Sequence, residues 1–160
     1  MGADIHVFVE VQLPNHDKYI NTDYYRRYTE ENVVGYERKE AYEGRYMVLF
    51  EILRHKVPQN GYPKLASEVF EAEWNSWKGC GAYGLNYISL KSLYRLWERE
   101  LIKEFTSQKE DFEFANAYAL YPFINDIVQH YLLFIKHEGG VASLADKMGG
   151  NIYVIYFFDR

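Results

Sequence analysis

The chain has 160 residues, a mass of 19.0 kDa and a formal net charge of −5. This length favours a single domain over residues 1–160, because no linker rich in proline, glycine or serine divides the sequence. The negative charge excludes a long nucleic acid as the main partner, since such binding needs a broad basic surface, while a small anion in a local pocket remains compatible with it.

Cysteine use and hydropathy indicate the compartment. Cys80 is the one cysteine of the sequence, so the chain forms neither an intrachain disulfide nor a cysteine-based zinc site, as expected in a reducing cytosol. No apolar run approaches the roughly 20 residues that span a bilayer, and the sequence starts with a strand pattern instead of a leader. We therefore predict a soluble, cytoplasmic protein with no membrane partner.

The first predicted element is a strand whose apolar residues alternate with polar ones. One face carries Ile5, Val7, Val9, Val11 and Leu13. The opposite face carries Asp4 and His6, whose side chains lie about 6.5 Å apart because they are two residues along one strand. A carboxylate and an imidazole therefore share one face of a well-anchored strand.

A tyrosine-rich segment follows a turn at 14–17 and is predicted to form a hairpin or an irregular edge. Eight tyrosines precede residue 63, and Arg26, Arg27 and Arg45 lie among them. Aromatic faces and guanidinium planes stack on nucleobases, and guanidinium forks match phosphate oxygens, so this composition can hold a nucleotide. The alternative is that tyrosine covers a sheet face, which its preference for strands explains without a ligand.

Four segments have the apolar spacing that is typical of helices. They are residues 44–55, a segment capped by Ser67, a segment capped by Ser89, and a segment from Pro122 to a stop at Gly139. Residues 110–120 are a candidate for one further short helix.

The end of the chain, residues 151–160, is apolar on both faces, as expected for a central strand. We predict that it pairs antiparallel with the first strand, which places Asp159 and Arg160 beside Asp4 and His6. The predicted fold is therefore α+β: a small, mainly antiparallel sheet contains the N- and C-terminal strands and packs against about four helices.

The group of Asp4, His6 and Asp159 is the first candidate for chemistry. These residues can bind a divalent ion or form an acid/base pair, because a carboxylate fixes the tautomer of a neighbouring histidine and raises its pKa. Alternatively, they hold the strand end through hydrogen bonds, as buried polar groups need partners. His130 and His137 are interpreted as surface residues, because about 10 Å of helix separates them, too far to share a metal.

The segment 79–84 matches G-x-G-x-x-G by letter but lacks the strand-before, helix-after context of a dinucleotide fold. A glycine loop that leads into a helix can still offer backbone N–H groups to a phosphate; the alternative is a plain loop between helices. Walker A, H-E-x-x-H and G-x-S-x-G motifs are absent from the sequence, and no cofactor is predicted.

Four segments of the sequence resemble a family of small uncharacterised phage and prophage proteins. They are residues 2–6, 44–50, 61–67 and 157–159. Members of that family open with M-G-C-D-I-H and end with F-x-F-D. This chain has Ala3 in place of the cysteine, Asn60 in place of an arginine, and residues 83–86 in place of H-S-H-S. The resemblance implies a phage origin, and the loss of those histidines counts against a metal-dependent activity.

The leading functional hypothesis is a phage anti-defence protein that binds and sequesters a small nucleotide-type immune signal without catalysis, in the cytoplasm of the host cell. In this hypothesis arginines bind phosphates, tyrosines stack on bases, and Asn86 or His6 reads polar edges. The predicted ligand-binding residues are His6, Arg26, Arg27, Arg45, Tyr46, Tyr83, Asn86 and Tyr87. For Arg45, the alternative is an ion pair with Glu43 or a strand carboxylate.

Two alternatives remain open. The first is a protein that covers a host nuclease or defence effector with an acidic, tyrosine-rich surface, because tyrosine is enriched at interface cores. The second is a metal-dependent nucleotide hydrolase built on Asp4, His6 and Asp159. In every case we predict a homo-oligomer, since aromatic surface left over from a small sheet often binds a partner subunit.

Overall fold

A computed structural model describes residues 3–28, 33–42, 44–106, 115–134 and 139–160. The strands in these ranges are β1 (Asp4–Val11), β2 (Ile20–Asn21), β3 (Tyr24–Tyr28), β4 (Val33–Arg38), β5 (Tyr83–Ser89) and β6 (Ile152–Asp159). The helices are α1 (Met47–His55), α2 (Glu68–Lys78), α3 (Leu90–Thr106), α4 (Ala115–Phe134) and α5 (Val141–Lys147).

The two strands nearest the chain ends form the centre of the main sheet. β1 and β6 pair antiparallel over their full length, from Asp4 opposite Asp159 to Val11 opposite Ile152. β2 pairs with the other side of β1 and β5 with the other side of β6, so that the strand order is β2-β1-β6-β5. The predicted α+β fold and the predicted pairing of the terminal strands are confirmed.

Both faces of this sheet are covered, which explains why β6 is apolar on both sides. One face, with Val7, Val9 and Val154, packs against α1, α3, α4 and α5 in the larger core. The other face, with Phe8 and Phe157, packs against Phe70 of α2 in a smaller aromatic core. The side chains of β1 alternate between these two cores, as the sequence pattern predicts.

The predicted caps of two helices are confirmed. The hydroxyl of Ser67 accepts a hydrogen bond from the backbone N–H of Phe70 at the start of α2, and Ser89 accepts one from Ser92 at the start of α3. These bonds satisfy N–H groups that have no partner inside the helix.

Three elements of the structure differ from the predicted ones. α4 begins at Ala115 and continues through Pro122, because Leu120 and Phe123 on either side of the proline are buried and their packing outweighs the lost backbone hydrogen bond. A fifth helix, α5, follows Gly140. The segment after the glycine motif is the strand β5 instead of a loop, because burial of Ile88 and pairing with β6 outweigh the local turn signal.

The tyrosine-rich segment forms a hairpin, as one of the two predicted possibilities. β3 and β4 pair antiparallel in a separate two-stranded sheet, with a register shift between Arg27 and Tyr28. Among the helices in the ranges given above, none combines the length and the apolar character that crossing a bilayer requires.

Candidate functional site

Two guanidinium groups lie against one tyrosine ring at the carboxyl end of β6. The Cζ atom of Arg54 is 5.6 Å from the centre of the Tyr83 ring, and that of Arg160 is 5.7 Å from it. Both distances lie within the range of a cation–π contact. We call Arg54, Tyr83 and Arg160 the arginine–tyrosine cluster.

The local sequence explains how these three side chains meet. Tyr83 is the first residue of β5 and pairs with Phe158, two residues before Arg160. Gly84 has φ +69°, and a Cβ atom there would lie 3.2 Å from Nη1 of Arg54, so the missing side chain leaves room for the guanidinium. Arg54 reaches this point from the last turn of α1, beside the buried Leu53.

The guanidinium groups of this cluster form no ion pair within the part of the chain that the structure describes. No carboxylate there lies within ion-pair distance of Arg54 or Arg160, although Arg54 is half-buried. Both guanidinium groups keep access to solvent, so an anion can reach their N–H donors, which suit phosphate and carboxylate oxygens. The arrangement can therefore hold a phosphate or carboxylate next to an aromatic face.

Arg45 and Tyr46 lie at the same end of the sheet. Nε of Arg45 is 3.0 Å from Oδ1 of Asp4, so the arginine is paired with a strand carboxylate. Both side chains are largely exposed, and exposed pairs of this kind contribute about 0–1 kcal/mol to stability. Tyr46 precedes α1 with its side chain exposed, and a hydrogen bond from Ile5 N–H to the Gly44 carbonyl holds this segment beside β1.

His6 lies between two carboxylates. Its Nε2 is 2.6 Å from Oδ2 of Asp159, and its Nδ1 is 3.9 Å from Oε1 of Glu40. The Glu40 and Asp159 carboxylates raise the pKa of His6, although partial burial acts in the opposite direction. The ring also packs against Phe157 and Trp77, with centroids 4.9 and 4.5 Å away.

Charged groups continue from His6 into the interior. Arg38 donates to Glu40 over 2.7 Å, and its Nη2 is 3.6 Å from the buried carboxylate of Asp23. Asp23 in turn lies 2.9 Å from Nε2 of His130. These contacts form a continuous row, which we call the ionic chain. Its members are Asp159, His6, Glu40, Arg38, Asp23 and His130.

The prediction that His130 is a surface residue is wrong, since the side chain is only 4% exposed. The carboxylate of Asp23, fixed by the Val9 N–H, offers it a buried partner. His130 and Glu40 line one pocket of about 310 Å³, together with Asp126 on α4. His137 lies outside the described residues.

Asn86 is completely buried and bonded to protein groups. Its Oδ1 accepts from the Asn60 N–H, and its Nδ2 donates to the Pro58 carbonyl and to the Tyr156 hydroxyl. Both amide protons are thus used inside the protein. Asn86 therefore ties the loop before α2 to the centre of the sheet.

Tyr83 and Tyr87 point to opposite faces of the sheet although both lie on β5. The register shifts between Tyr83 and Asn86, so Tyr83 packs on the larger core and Tyr87 on the aromatic core next to α2. A bulge of this kind changes which face the following side chains occupy. Tyr87 lines a pocket with Tyr19 and Tyr153 at the far end of the sheet.

The predicted ligand-binding residues are thus distributed over several places. Arg45, Tyr46 and Tyr83 lie at one end of the sheet, His6 lies in the ionic chain, Asn86 in the interior and Tyr87 in the tyrosine-lined pocket. Arg26 and Arg27 lie on β3 opposite Tyr36 and Gly35, and their side chains fall outside the described part of the structure.

The three residues predicted as metal ligands, Asp4, His6 and Asp159, do not all contact one another. Asp159 contacts His6, while Asp4 contacts Arg45. Within the described ranges, no group of three histidine, cysteine, aspartate or glutamate side chains is arranged to hold a metal ion.

Arg54 and Arg160 are not among the ligand-binding residues that the sequence predicts. The one feature of the sequence that could have indicated Arg54 is its position beside the apolar stripe of α1, one residue after the buried Leu53. For Arg160 the signal is its position directly after the predicted partner of Asp4. Neither signal separates a ligand-binding arginine from an ordinary surface one.

The fold and this cluster define the chain as an α+β protein in which two arginines lie against one tyrosine ring at one end of the sheet. No family model, curated protein or solved structure matches the chain.

Proposed function

We propose that the protein binds and sequesters a small anionic, nucleotide-type ligand without catalysis, and that the arginine–tyrosine cluster is the binding site. The observation that carries the proposal is the guanidinium of Arg54, which shares the Tyr83 ring with Arg160 and has no carboxylate within ion-pair distance among the described residues. Arginine forks suit phosphate oxygens, and a tyrosine face suits a base.

The neighbouring residues extend this surface. Tyr46 is 44% exposed and offers a second aromatic face at the same end of the sheet. Arg45 exchanges its weak pairing with Asp4 for a phosphate at little cost, because both partners of that pair are largely in water. A negatively charged protein can bind an anion in this way, since the affinity depends on the two guanidinium groups that meet at Tyr83 and not on the net charge.

The biological setting of the proposal comes from the resemblance to phage and prophage proteins. We propose that the chain is a phage accessory protein that acts in the cytoplasm of the host cell as a homo-oligomer, and that its ligand is a nucleotide signal of host defence. Sequestration of a signal needs affinity and abundance instead of turnover, which fits a site that consists of cations and aromatic rings.

The test is calorimetric titration of the purified protein with cyclic nucleotides and ADP-ribose-type nucleotides. Arg54→Gln and Arg160→Gln should each weaken binding at least tenfold, because a hydrogen bond to a charged group contributes about 1.5 to 3 kcal/mol. Arg99→Gln removes the same charge from the exposed side of α3 and should leave the affinity unchanged.

Two results would contradict the proposal. One is the absence of heat and of thermal stabilisation with every nucleotide in the wild-type protein. The other is binding that Arg54→Gln and Arg160→Gln leave intact while circular dichroism shows both variants folded, because this would place the ligand elsewhere.

A second candidate is an inhibitor that binds a host nuclease or defence effector. Two exposed aromatic side chains on neighbouring helices favour this function: Phe105 on α3 is 67% exposed and Tyr118 on α4 is 71% exposed. Large exposed aromatic side chains are typical of interface cores. Co-purification of one host protein that Tyr118→Ser abolishes and Arg54→Gln preserves would favour this function over nucleotide binding.

A further inference from the structure

A second pocket, away from the arginine–tyrosine cluster, lies where β5 leads into α3. It has a volume of about 430 Å³, within the range of about 300 to 1,000 Å³ that small-molecule sites occupy. We call it the tyrosine pocket. Its lining includes Tyr19, Asn60, Tyr87, Ser89, Ser92 and Tyr153.

One wall of the tyrosine pocket is aromatic. The rings of Tyr19 and Tyr153 stack with centroids 4.4 Å apart and an interplanar angle of 7°, so no further flat group fits between them. The ring of Tyr87 lies 6.2 Å from that of Tyr153 and is tilted by 53°. Tyr87 is half-buried against the aromatic core and also lines the pocket, where it offers an apolar surface to a ligand.

The pocket lining also includes small polar groups. The hydroxyl groups of Ser89 and Ser92 are 3.0 Å apart at the N-terminus of α3, and Ser92 is exposed. The side-chain amide of Asn60 donates to the Tyr87 carbonyl over 2.8 Å, which leaves its oxygen as an acceptor. The pocket therefore offers hydroxyl and amide groups that both donate and accept hydrogen bonds.

The lining that the structure describes contains no acidic or basic side chain. Burial raises the pKa of Tyr19, so its phenol keeps its proton and stays neutral. An ionic ligand would find no counter-charge here and would lose hydration without compensation. The pocket therefore suits an uncharged molecule that has an apolar face on one side and several hydroxyl groups on its edge.

We propose that the tyrosine pocket binds a neutral carbohydrate. A pyranose ring has this combination of features, because its axial C–H groups form an apolar face and its hydroxyl groups project from the rim. The C–H face lies on the ring of Tyr87, and the hydroxyl groups exchange hydrogen bonds with Ser89, Ser92 and Asn60. This site is separate from the anion site, since Tyr83 and Tyr87 face opposite sides of the sheet.

The experiment is a nitrogen–proton NMR titration of the full chain with glucose, galactose, N-acetylglucosamine and maltose, with the charged sugar glucuronate as the comparison. We expect saturable shifts at the amides of residues 87, 89, 92 and 150 with at least one neutral sugar, and none with glucuronate, for which the lining offers no counter-charge. Tyr87→Ala should weaken the affinity at least tenfold, whereas Tyr118→Ala, an exposed aromatic residue on α4, should not change it.

Ser92→Leu serves as the second variant, because residue 92 is exposed and a leucine there narrows the pocket without entering the core. It should abolish sugar binding while the thermal midpoint stays close to that of the wild type, even if Tyr87→Ala fails to fold. Absence of shifts with all four sugars would overturn the proposal. Shifts with glucuronate alone, or sugar binding that Ser92→Leu leaves unchanged, would overturn it as well.

Discussion

His6 joins three segments of the chain through one imidazole ring. It contacts Asp159 of β6 directly, and Glu40 lies on its other side, where Arg38 holds it. The ring carries a positive charge when it is protonated, and both neighbouring carboxylates then attract it. The protonated form therefore links the end of the central strands to the segment after β4.

The raised pKa of His6 predicts a specific pH dependence of stability. The folded state binds the His6 proton more tightly than the unfolded state does. The protonated ring therefore makes its full contribution to the unfolding free energy below the pKa of the unfolded state, about 6.5, and this contribution is lost as pH rises through the pKa of the folded state. The difference in unfolding free energy between the wild type and His6→Gln should thus be larger at pH 6 than at pH 9. Urea denaturation at several pH values measures it.

His55 provides the control for this experiment, because it pairs with Glu51 on the exposed side of α1 with a side chain that is 66% exposed. His55→Gln should change the unfolding free energy by no more than about 1 kcal/mol, because exposed ion pairs contribute about 0–1 kcal/mol. A difference for His6→Gln that is constant, or that grows towards pH 9, would show that the carboxylates do not hold a protonated ring.

At the residue scale, the sequence predicts contacts that follow from regular strand geometry. The alternation of β1 and an antiparallel partner were sufficient to place Asp159 beside His6. The partners of Asn86 were not predictable in this way, because the backbone of Pro58 and Asn60 and the hydroxyl of Tyr156 come from distant segments. The same reason explains why His130 was assigned to the surface, since its partner Asp23 is 107 residues away.

Among the secondary-structure elements, β5 depends on one glycine. Gly84 has a positive φ at the point where the register with β6 shifts, and this conformation favours residues without a Cβ atom. A Cβ there would lie 2.6 Å from Cδ2 of Phe158, in a core that leaves no room for it.

We predict that Gly84→Ala lowers the unfolding free energy by about 2 to 5 kcal/mol, because backbone strain adds to overpacking against Phe158. Gly81→Ala is the matched control, since Gly81 also has a positive φ but a Cβ there would meet no atom within 4 Å. It should lose only the strain contribution, about 1 to 3 kcal/mol. Urea denaturation of both variants separates the two effects, and equal losses would mean that Phe158 moves aside without cost.

The sequence identifies elements whose periodicity agrees with their burial. β1, α1, α2 and α3 have this agreement, and the capping serines of α2 and α3 were predicted correctly. β5 carries two turn-forming signals, Gly81 and Gly84, next to its strand residues, so local rules indicated a loop. Pro122 likewise indicated a helix start, although buried residues on both sides of it keep α4 continuous.

For the molecule as a whole, β6 is the element on which the other layers depend. It pairs with β1 on one side and β5 on the other, and both of its faces contribute to a hydrophobic core. Its amide groups are therefore exposed to solvent only when the whole sheet opens. The β3–β4 hairpin pairs only within itself, and two-stranded hairpins are marginally stable.

Hydrogen exchange at increasing urea should consequently separate the two sheets. The amides of Val154 and Tyr156 should exchange only through global unfolding, with its full free energy. The amides of the hairpin should exchange through a local opening that has a lower free energy. The measurement is the denaturant dependence of exchange for each amide. A common opening free energy for β6 and the hairpin would contradict this division.

The position of β6 in chain order also has a consequence for biosynthesis. Every other strand and helix described here emerges from the ribosome before β6 does. The hydrogen bonds between β1 and β6 can therefore form only at the end of synthesis. Until then the valines of β1 are exposed in the nascent chain, and chaperones can bind them. A message that is cut before the codon of Ile152 would yield a product that proteases remove, whatever ligand the finished protein holds.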